Sequence, residues 1–442
     1  MNQASTAAPQ KAIPSSYVIA VFVGNGLEFY DFLSYALFAV YIGRAFFPST
    51  NSAMSLLLSL ATFGIGFVTR PIGAIVLGTF GDRAGRKPAM LISFLLMGVG
   101  MLGLALTPSY ARIGIAAPIL AVLFRLIQGF ALGGEVGLTT AYIVEAAPAN
   151  RRGLYGSMQY LTQDAANLLA ALVGVALSSA LSPQHLQDWG WRIAFLLGVI
   201  IVPFGMVLRD RLPETLHAAD DAALAPDATR GALGLSARIG PYLPIIVFGL
   251  VMLSSGTIGS YVLEYLTTYA LNTLHLPPGI AFGVVVVTSI CAIIVDPLGG
   301  ALSDRYGRRR IIIIGYTLTL VSVFPVFWIV NRYPSTWIVY SMMGLIAALF
   351  ALGTPPVIVA LTEALPKKIR AGVVATTYAF AISVFGGSTQ FVISWLIQRT
   401  GNPLAPAWYW IGALLLGLTA ALLMPETAPE RAGSGAPLPS FE

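Results

Sequence analysis

Apolar residues along the chain fall into twelve long runs, each separated from the next by a short polar connection. A helix needs about 20 mostly apolar residues to cross a bilayer. The runs therefore predict twelve transmembrane helices, at about 17–40, 54–80, 88–108, 113–145, 154–180, 190–209, 241–270, 279–301, 311–330, 335–362, 372–398 and 405–424.

The one long polar stretch, 212–240, lies at the middle of the chain. It predicts a linker between two six-helix bundles, and hence an all-α polytopic membrane protein with two pseudo-symmetric halves. The predicted organisation is an N-terminal tail (1–16), a first bundle (17–211), a central loop (212–240), a second bundle (241–424) and a C-terminal tail (425–442).

Composition supports a membrane protein and argues against other classes. Of the 442 residues, 57% are apolar and 10% charged, and mean hydropathy is +0.79. A soluble domain carries roughly 25% charged residues. Cys291 is the single cysteine and the three histidines are scattered, so we expect no disulfide and no metal site. The basic residues form no cluster on a soluble domain, so no nucleic-acid partner is expected.

Basic residues in the connections predict the orientation. The loops after the even-numbered segments carry sixteen Lys and Arg, whereas those after the odd-numbered segments carry five. Lys and Arg are retained on the cytoplasmic side. We therefore expect both termini and the central loop in the cytoplasm, and a location in the cell (inner) membrane.

Two motifs and a short tripeptide recur about half a chain apart. Gly78–Lys87 (GTFGDRAGRK) corresponds to Gly300–Arg309 (GALSDRYGRR), and Glu145–Gly153 corresponds to Glu363–Gly372. The tripeptide Pro-Glu-Thr ends both halves, at 213–215 and 425–427. Their common order indicates a duplicated six-helix unit, which suits a carrier that rocks one bundle against the other.

The repeated G-x-x-x-D-R-x-G-R-[KR] motif resembles that of the major facilitator superfamily. Within it, the strings GNGLEFYDF, RPIGAIVLG, RLIQGFALGGE and WGWRIAFLLG resemble the metabolite:proton symporter family. The strings AFFPST, TPSYARIGIAAPIL and DWGWRIAFLLGVIIVPF resemble its citrate and tricarboxylate members more closely. The resemblance implies the major facilitator fold and proton symport of an organic acid by alternating access. Alternatives within the class are a dicarboxylate, another organic acid or a zwitterionic osmolyte. A membrane sensor, a channel or an enzyme is the different-class alternative, but no nucleophile–base or metal cluster points to an enzyme.

Charges inside predicted helices are costly, about 2.5–3.5 kcal/mol at the helix centre on insertion scales, so each must be paired or functional. Glu28 and Asp31 lie three residues apart on one helix face. Similar transporters pair such an acid with Arg125, and the resemblance also points Glu135 into the cavity. These four residues are the candidates for proton coupling. The alternatives are a permanent ion pair for Arg125 and a capping role for Glu135.

Arg70 and Arg192 are the candidates for anion binding, because the guanidinium group matches a carboxylate with two parallel donors. A structural turn at Arg70 and an interfacial anchor at Arg192 are the alternatives. Gln159, Gln163 and Asn167 form a polar stripe at helical spacing, which lines a cavity or joins helices. Asp164 is interpreted as facing elsewhere. Further candidates for substrate contact are Tyr261, Glu264, Tyr265 and Gln390, whereas Asp296 is interpreted as a gating or structural residue.

Charged residues at the cytoplasmic ends are expected to clasp neighbouring helices in one conformation and to release them in the other. Anchoring by positive charge is the alternative. This predicted gate comprises Asp82, Arg83, Arg86, Glu145, Arg152, Asp304, Arg305, Arg308, Glu363 and Arg370. The expected partners are a small organic anion and the lipid bilayer, with a monomer as the working unit and protons, rather than a cofactor, as the coupling ion.

Overall fold

A computed structural model describes residues 26, 29–84, 86–133, 147–210 and 240–428. Glu28, Glu135 and Glu145, and most of the predicted central loop, lie outside the described residues. Asp82, Arg83 and Arg86 lie in described helices, at positions where only the backbone is described.

Twelve helical segments account for the described chain, and we number them α1 to α12. They are α1 (29–37 and Ala39–Phe46), α2 (Ser52–Ile65 and Arg70–Ala84), α3 (Arg86–Leu106), α4 (Ala116–Leu132), α5 (Arg152–Ala180), α6 (Trp191–Asp210), α7 (Leu243–Glu264 and Leu266–Asn272), α8 (Pro278–Tyr306), α9 (Arg308–Arg332), α10 (Thr336–Gly353 and Pro355–Ala364), α11 (Lys367–Ala381 and Gly387–Thr400) and α12 (Ala405–Leu423). Within the described residues, each predicted apolar run overlaps one of them, so the predicted all-α fold is confirmed.

The apolar character of the helices continues onto the outer surface. Eight helical stretches in the described part are long and apolar enough to cross a membrane, and Leu91–Leu106 and Ala116–Leu132 are shorter apolar helices. Large apolar side chains point outwards, among them Ile75, Ile200, Val321 and Leu416, each at least 66% exposed. Such an outer surface suits lipid rather than water.

Several helices are interrupted near the middle of the bundle. A turn at residues 66–69 separates the two parts of α2, and the second part begins with Arg70-Pro71. Pro355 and Pro356 open the second part of α10, where a missing backbone N–H is tolerated. Residues 382–386 form a π-helical turn in α11. The break in α2 places Arg70 at the start of a helical segment, and a further break at Tyr265 in α7 places Glu264 at the end of one.

The two halves pack on each other most extensively through α5 and α8. A Cβ atom on Gly153 would lie 2.4 Å from the carbonyl oxygen of Gly300, so only glycine permits this approach at one end of the two helices. Towards the other end, Phe38 and Tyr41 of α1 pack on Phe282 of α8, with ring centroids 4.9 and 6.4 Å apart. The described helices therefore meet on both sides of the middle of the protein.

Candidate functional site

A small cavity lies between the halves, lined by residues of α1, α5, α7, α8 and α10. Its volume is about 50 Å³, room for a few water molecules at about 10–15 Å³ each. The polar residues that line it are Tyr160, Gln163, Asp164, Asn167, Ser260, Glu264, Thr288, Asp296 and Thr354. None of the lining residues in the described part of the chain is basic.

The contribution of α5 corrects one interpretation from the sequence. Tyr160, Gln163, Asp164 and Asn167 all line the cavity, at the i, i+3, i+4, i+7 spacing of a single helix face. Asp164 therefore faces the cavity rather than away from it. Gln159 is 1% exposed and absent from the cavity wall, and its side chain lies beside Tyr378.

Three carboxyl groups reach the cavity from three helices. Asp164 of α5 and Asp296 of α8 face each other at hydrogen-bonding range, and Glu264 of α7 interacts electrostatically with Asp164. Asp296 is 2% exposed. Its Oδ2 atom and Oε2 of Glu264 have no hydrogen-bond partner among the described residues. The cavity is therefore acidic, although the sequence pointed to an anion site.

Arg70 lies beside this acidic cavity but does not line it. Its guanidinium carbon is 4.1 Å from the ring centroid of Phe67 and 4.6 Å from that of Phe32, which is cation–π distance. Glu264 and Tyr261 are its electrostatic neighbours from α7. Arg70 is 8% exposed, and its Nε and Nη2 atoms have no partner among the described residues. Aromatic rings, rather than a carboxylate, therefore hold the Arg70 guanidinium group in place. Its Nε and Nη2 donors stay without a partner among the described residues.

The predicted pair of Asp31 and Arg125 is bridged by a third residue. Gln128 Nε2 donates to Asp31 Oδ1 at 3.2 Å, and Arg125 Nη1 donates to Gln128 Oε1 at 2.8 Å. Both charged residues are at most 1% exposed. Asp31 Oδ2 and two nitrogens of Arg125 have no partner in the described part of the chain. The Gln128 amide therefore links Asp31 to Arg125. Among the described residues, one oxygen of Asp31 and two nitrogens of Arg125 remain available to other ligands.

The remaining substrate candidates are dispersed. The Tyr261 ring packs on Phe67, with centroids 5.7 Å apart, next to Arg70. Tyr265 is 2% exposed and lies beside Ser394. Gln390 is fully buried, and neither its amide oxygen nor its amide nitrogen has a partner among the described residues. None of these three residues lines the cavity.

Arg192 lies away from the cavity, contrary to its predicted place on the cavity side. It is near the start of α6, where Nη1 donates to the Asp188 carbonyl oxygen at 2.9 Å and Nη2 to that of Thr107 at 3.0 Å. Its guanidinium group stacks on Trp191 at 4.2 Å. Carbonyl groups at helix ends lack intrahelical partners, and Arg192 supplies donors to one just beyond α3. This arrangement corresponds to the interfacial alternative.

At the end of α8 that carries the repeated motif, Asp304 binds the first turn of α5. Its Oδ1 accepts from the Gly153 N–H at 2.8 Å and its Oδ2 from the Leu154 N–H at 2.9 Å. A carboxylate at a helix N-terminus is stabilised by the free N–H groups and the helix dipole. This clasp joins the two halves through a charged acceptor whose two oxygens are both satisfied.

Arg308, 1% exposed, is the centre of the same cluster. Nη1 donates to Asp304 Oδ1 at 2.6 Å, and Nε and Nη2 donate to Glu363 at 3.1 and 3.2 Å. Arg152 approaches Glu363 at 3.8 Å. From the end of the chain, Glu426 Oε1 accepts the Arg308 backbone N–H at 2.8 Å. We call this group, with Gly153 and Leu154, the interhelical clasp.

Two predicted gate residues lie outside this cluster of contacts. Arg305 is exposed, and its guanidinium group lies 5.4 Å from the ring centroid of Tyr306. Arg370 Nε donates to the Leu365 carbonyl oxygen at 3.0 Å.

Three important residues were missed or undervalued from the sequence. Asp164 was set aside because Gln159 was taken as the reference for the polar stripe. Gln128 is not among the sequence-predicted site residues, although its spacing of three residues from Arg125 allows the contact that the structure shows. Glu426 was seen only as part of a repeat, and the recurrence of Pro-Glu-Thr was the signal for its role.

Comparison with known proteins agrees with this architecture. The chain is similar to the citrate-proton symporter of Klebsiella pneumoniae, at 35% identity over 91% of this chain and 90% of that protein. It is also similar to the alpha-ketoglutarate permease of Escherichia coli (strain K12), at 32% identity and 89% coverage of both chains. The glycine betaine/proline/ectoine/pipecolic acid transporter OusA of Dickeya dadantii (strain 3937) is 31% identical, over 93% of this chain and 83% of that protein.

A solved structure, that of a D-xylose-proton symporter, matches the fold with a TM-score of 0.74. Its sequence identity is 22%, over 96% of this chain and 99% of that one. The family model described as Major Facilitator Superfamily matches residues 21–388. The chain therefore belongs to the Major Facilitator Superfamily, as a multi-pass membrane transporter.

Proposed function

We propose that the protein imports an organic acid together with protons, by alternating access, and that citrate or a related tricarboxylate is its substrate. The relatives named as citrate-proton symporters, at 34 and 35% identity over most of the chain, support this substrate class. The proposed location is the cell (inner) membrane, with both termini in the cytoplasm. The proposed working unit is a monomer.

The observation that carries the proposal is the pair of buried arginines with unsatisfied donors. Arg70 and Arg125 each keep two guanidinium nitrogens without partners among the described residues. A buried charged donor left unpaired is costly. A carboxylate that enters between the halves and accepts from these nitrogens removes that cost, and the planar fork of Arg fits it bidentately. We assign binding of the substrate carboxylate to Arg70, and we assign to Arg125 the role of a second donor to the same anion.

Charge arithmetic requires a coupling ion. Moving one charge across 100 mV corresponds to about 2.3 kcal/mol. A trianion that enters a negative-inside cell therefore faces about 7 kcal/mol by the same figure. About three accompanying protons make the entry electroneutral, and a dianion needs two. Asp31 is a proposed proton carrier, because its free Oδ2 is buried beside Gln128 and Arg125.

A zwitterion is the second candidate substrate, and the acidic cavity favours it. Asp164, Glu264 and Asp296 line the cavity without a basic residue among its described lining, which suits a cationic group better than a carboxylate. Relatives named as proline/betaine transporters are 33% identical to this chain. Competition of labelled citrate uptake by 2-oxoglutarate and by glycine betaine separates the candidates. Stronger inhibition by 2-oxoglutarate indicates an organic-acid carrier, and stronger inhibition by glycine betaine indicates a carrier of zwitterions.

The test is uptake of labelled citrate by proteoliposomes with acid outside. We expect accumulation that disappears when an uncoupler collapses the gradient. Arg70→Gln should abolish specific uptake, because the amide cannot replace the charged fork. The matched control is Arg112→Gln, an exposed arginine outside the site, which should keep wild-type uptake. Accumulation that survives the uncoupler would contradict proton symport, and wild-type uptake by Arg70→Gln would remove Arg70 from the anion site.

A further inference from the structure

Two carboxyl groups from different halves of the protein meet at the middle of the α5–α8 interface. Asp164 belongs to the N-terminal half and Asp296 to the C-terminal half, and their carboxyl groups lie at hydrogen-bonding range of each other. A hydrogen bond between two carboxyl groups requires a proton on one of them. Two adjacent carboxylates cannot both remain ionised without strong repulsion.

Among the described residues near the pair, none supplies a cation that could replace that proton. The described ionisable groups that interact with the pair are Tyr160 from α5 and Glu264 from α7, and Tyr160 in turn neighbours Tyr316 of α9 and Tyr378 of α11. Arg70 of α2 acts on Glu264 rather than on the pair. The described residues of α1 and α10 in the cavity wall, Phe29, Leu33, Ala347, Phe350, Ala351 and Thr354, carry no charge.

The cavity beside the pair has room and free polar atoms for a proton carried by water. Besides Oδ2 of Asp296, Oδ1 of Asn167 has no partner among the described residues, and Asn167 is 7% exposed. Both residues line the cavity. Ligand sites for small molecules have volumes of about 300 Å³ or more. This cavity, at about 50 Å³ in the conformation described, admits a few waters, and an organic substrate can enter it only after the halves separate.

We propose that Asp164 and Asp296 form a proton-binding site, separate from Asp31, in which one shared proton latches α5 to α8 and closes the transporter around its centre. Loss of the proton places two carboxylates in contact and drives the helices apart. The proposal rests on the proposed proton-coupled transport and adds the site at which the proton controls the conformation.

The experiment follows the conformation of the full-length protein without substrate, in lipid nanodiscs. Spin labels are placed in a Cys291→Ala background at two exposed cytoplasmic-side positions, Asn150 and Arg310. A second labelled protein carries them at Thr50 and Arg399, near the contact between Gln398 and Ala53. Pulsed dipolar spectroscopy then gives the label-to-label distances from acid to alkaline pH.

We expect the short distance at acid pH and a longer one at alkaline pH in at least one label pair. For a single proton, the ratio of closed to open protein should change about tenfold per pH unit near the midpoint. Asp296→Asn and Asp164→Asn should each abolish this pH dependence and remain closed, because an amide donates to the remaining carboxylate at every pH. Asp188→Asn, an exposed matched change, should keep the wild-type response.

Three outcomes would overturn the proposal. They are a wild-type protein whose distances ignore pH, an Asp164→Asn or Asp296→Asn protein with the wild-type response, and distances that follow sodium concentration at fixed pH. The two variants test the pair from different helices, so misfolding of one leaves the other informative. Because no substrate is present, failure of citrate uptake contradicts the proposed function alone, without bearing on this result.

Discussion

The helices α5 and α8 join the two halves at two places with opposite chemistry. At the interhelical clasp, Asp304 accepts from two backbone N–H groups of α5 and from Arg308. At the centre, Asp296 faces Asp164, and its Oδ2 has no partner in the described part of the chain. Both oxygens of Asp304 accept hydrogen bonds from N–H donors. Asp296, in contrast, lies beside a second carboxyl group, that of Asp164.

This difference separates a structural contact from a switch. A carboxylate surrounded by donors is stable in its charged form, so the clasp holds without a proton. A pair of carboxyl groups holds only when one of them is protonated, so the central contact depends on the proton supply. The clasp therefore holds α5 against α8 independently of the proton. The contact between Asp164 and Asp296 holds the same two helices together only while one of the two carboxyl groups is protonated.

Breaking the clasp at its arginine should have the largest effect on stability. Arg308→Gln removes the partner of Asp304 and Glu363 and leaves both acids nearly buried. Loss of one member of a buried ion pair costs about 3–5 kcal/mol. We expect a clear drop in the thermal unfolding midpoint of the purified protein. Arg310→Gln, which alters an exposed arginine in the same run, should change it little, and equal midpoints for the two variants would contradict the clasp.

Removing only the charge of Asp304 should have a smaller effect. Asp304→Asn keeps one oxygen acceptor but turns an amide group towards donors that now lack an acceptor. An unsatisfied buried donor costs about 1–3 kcal/mol. The unfolding midpoint should fall between those of Arg308→Gln and the unmodified protein. A midpoint at or above that of the unmodified protein would show that the contact with Gly153 and Leu154 contributes nothing.

The smallest effect on stability is expected at the central pair. Asp164→Asn replaces one carboxyl group by an amide of similar size that can still donate to Asp296. Exchanging one hydrogen-bonded partner for another should change stability by about 1 kcal/mol or less. The same thermal measurement checks this. A loss as large as that of Arg308→Gln would mean that Asp164 is a structural residue like Asp304.

The sequence predicted the helices better than it predicted the site. Twelve apolar runs sufficed to locate the helices, because burial in lipid imposes hydrophobicity on every spanning residue alike. Which face of a helix meets the cavity depends on packing, and a stripe defined from Gln159 excluded Asp164. The predicted place of Arg192 on the cavity side was wrong because packing also determines where this side chain points. A charged side chain near a helix end can reach either the cavity or the membrane interface.

Contacts between the halves were only partly foreseeable. The repeated motif indicated that Asp304, Arg308 and Glu363 act together, and these three residues do contact one another. That Asp304 would bind backbone N–H groups of α5 could not be read from side-chain types. It follows from the close approach of Gly153 to Gly300, a tertiary contact that no local pattern encodes.

The most direct test of proton-coupled uptake is the pH inside proteoliposomes after citrate is added, with no imposed pH gradient and the membrane potential clamped. Proton symport predicts that the lumen acidifies as labelled citrate enters, and that Arg70→Gln shows neither signal. Entry of labelled citrate with an unchanged or more alkaline lumen would contradict the account, because an anion that arrives without protons takes them up from the water inside.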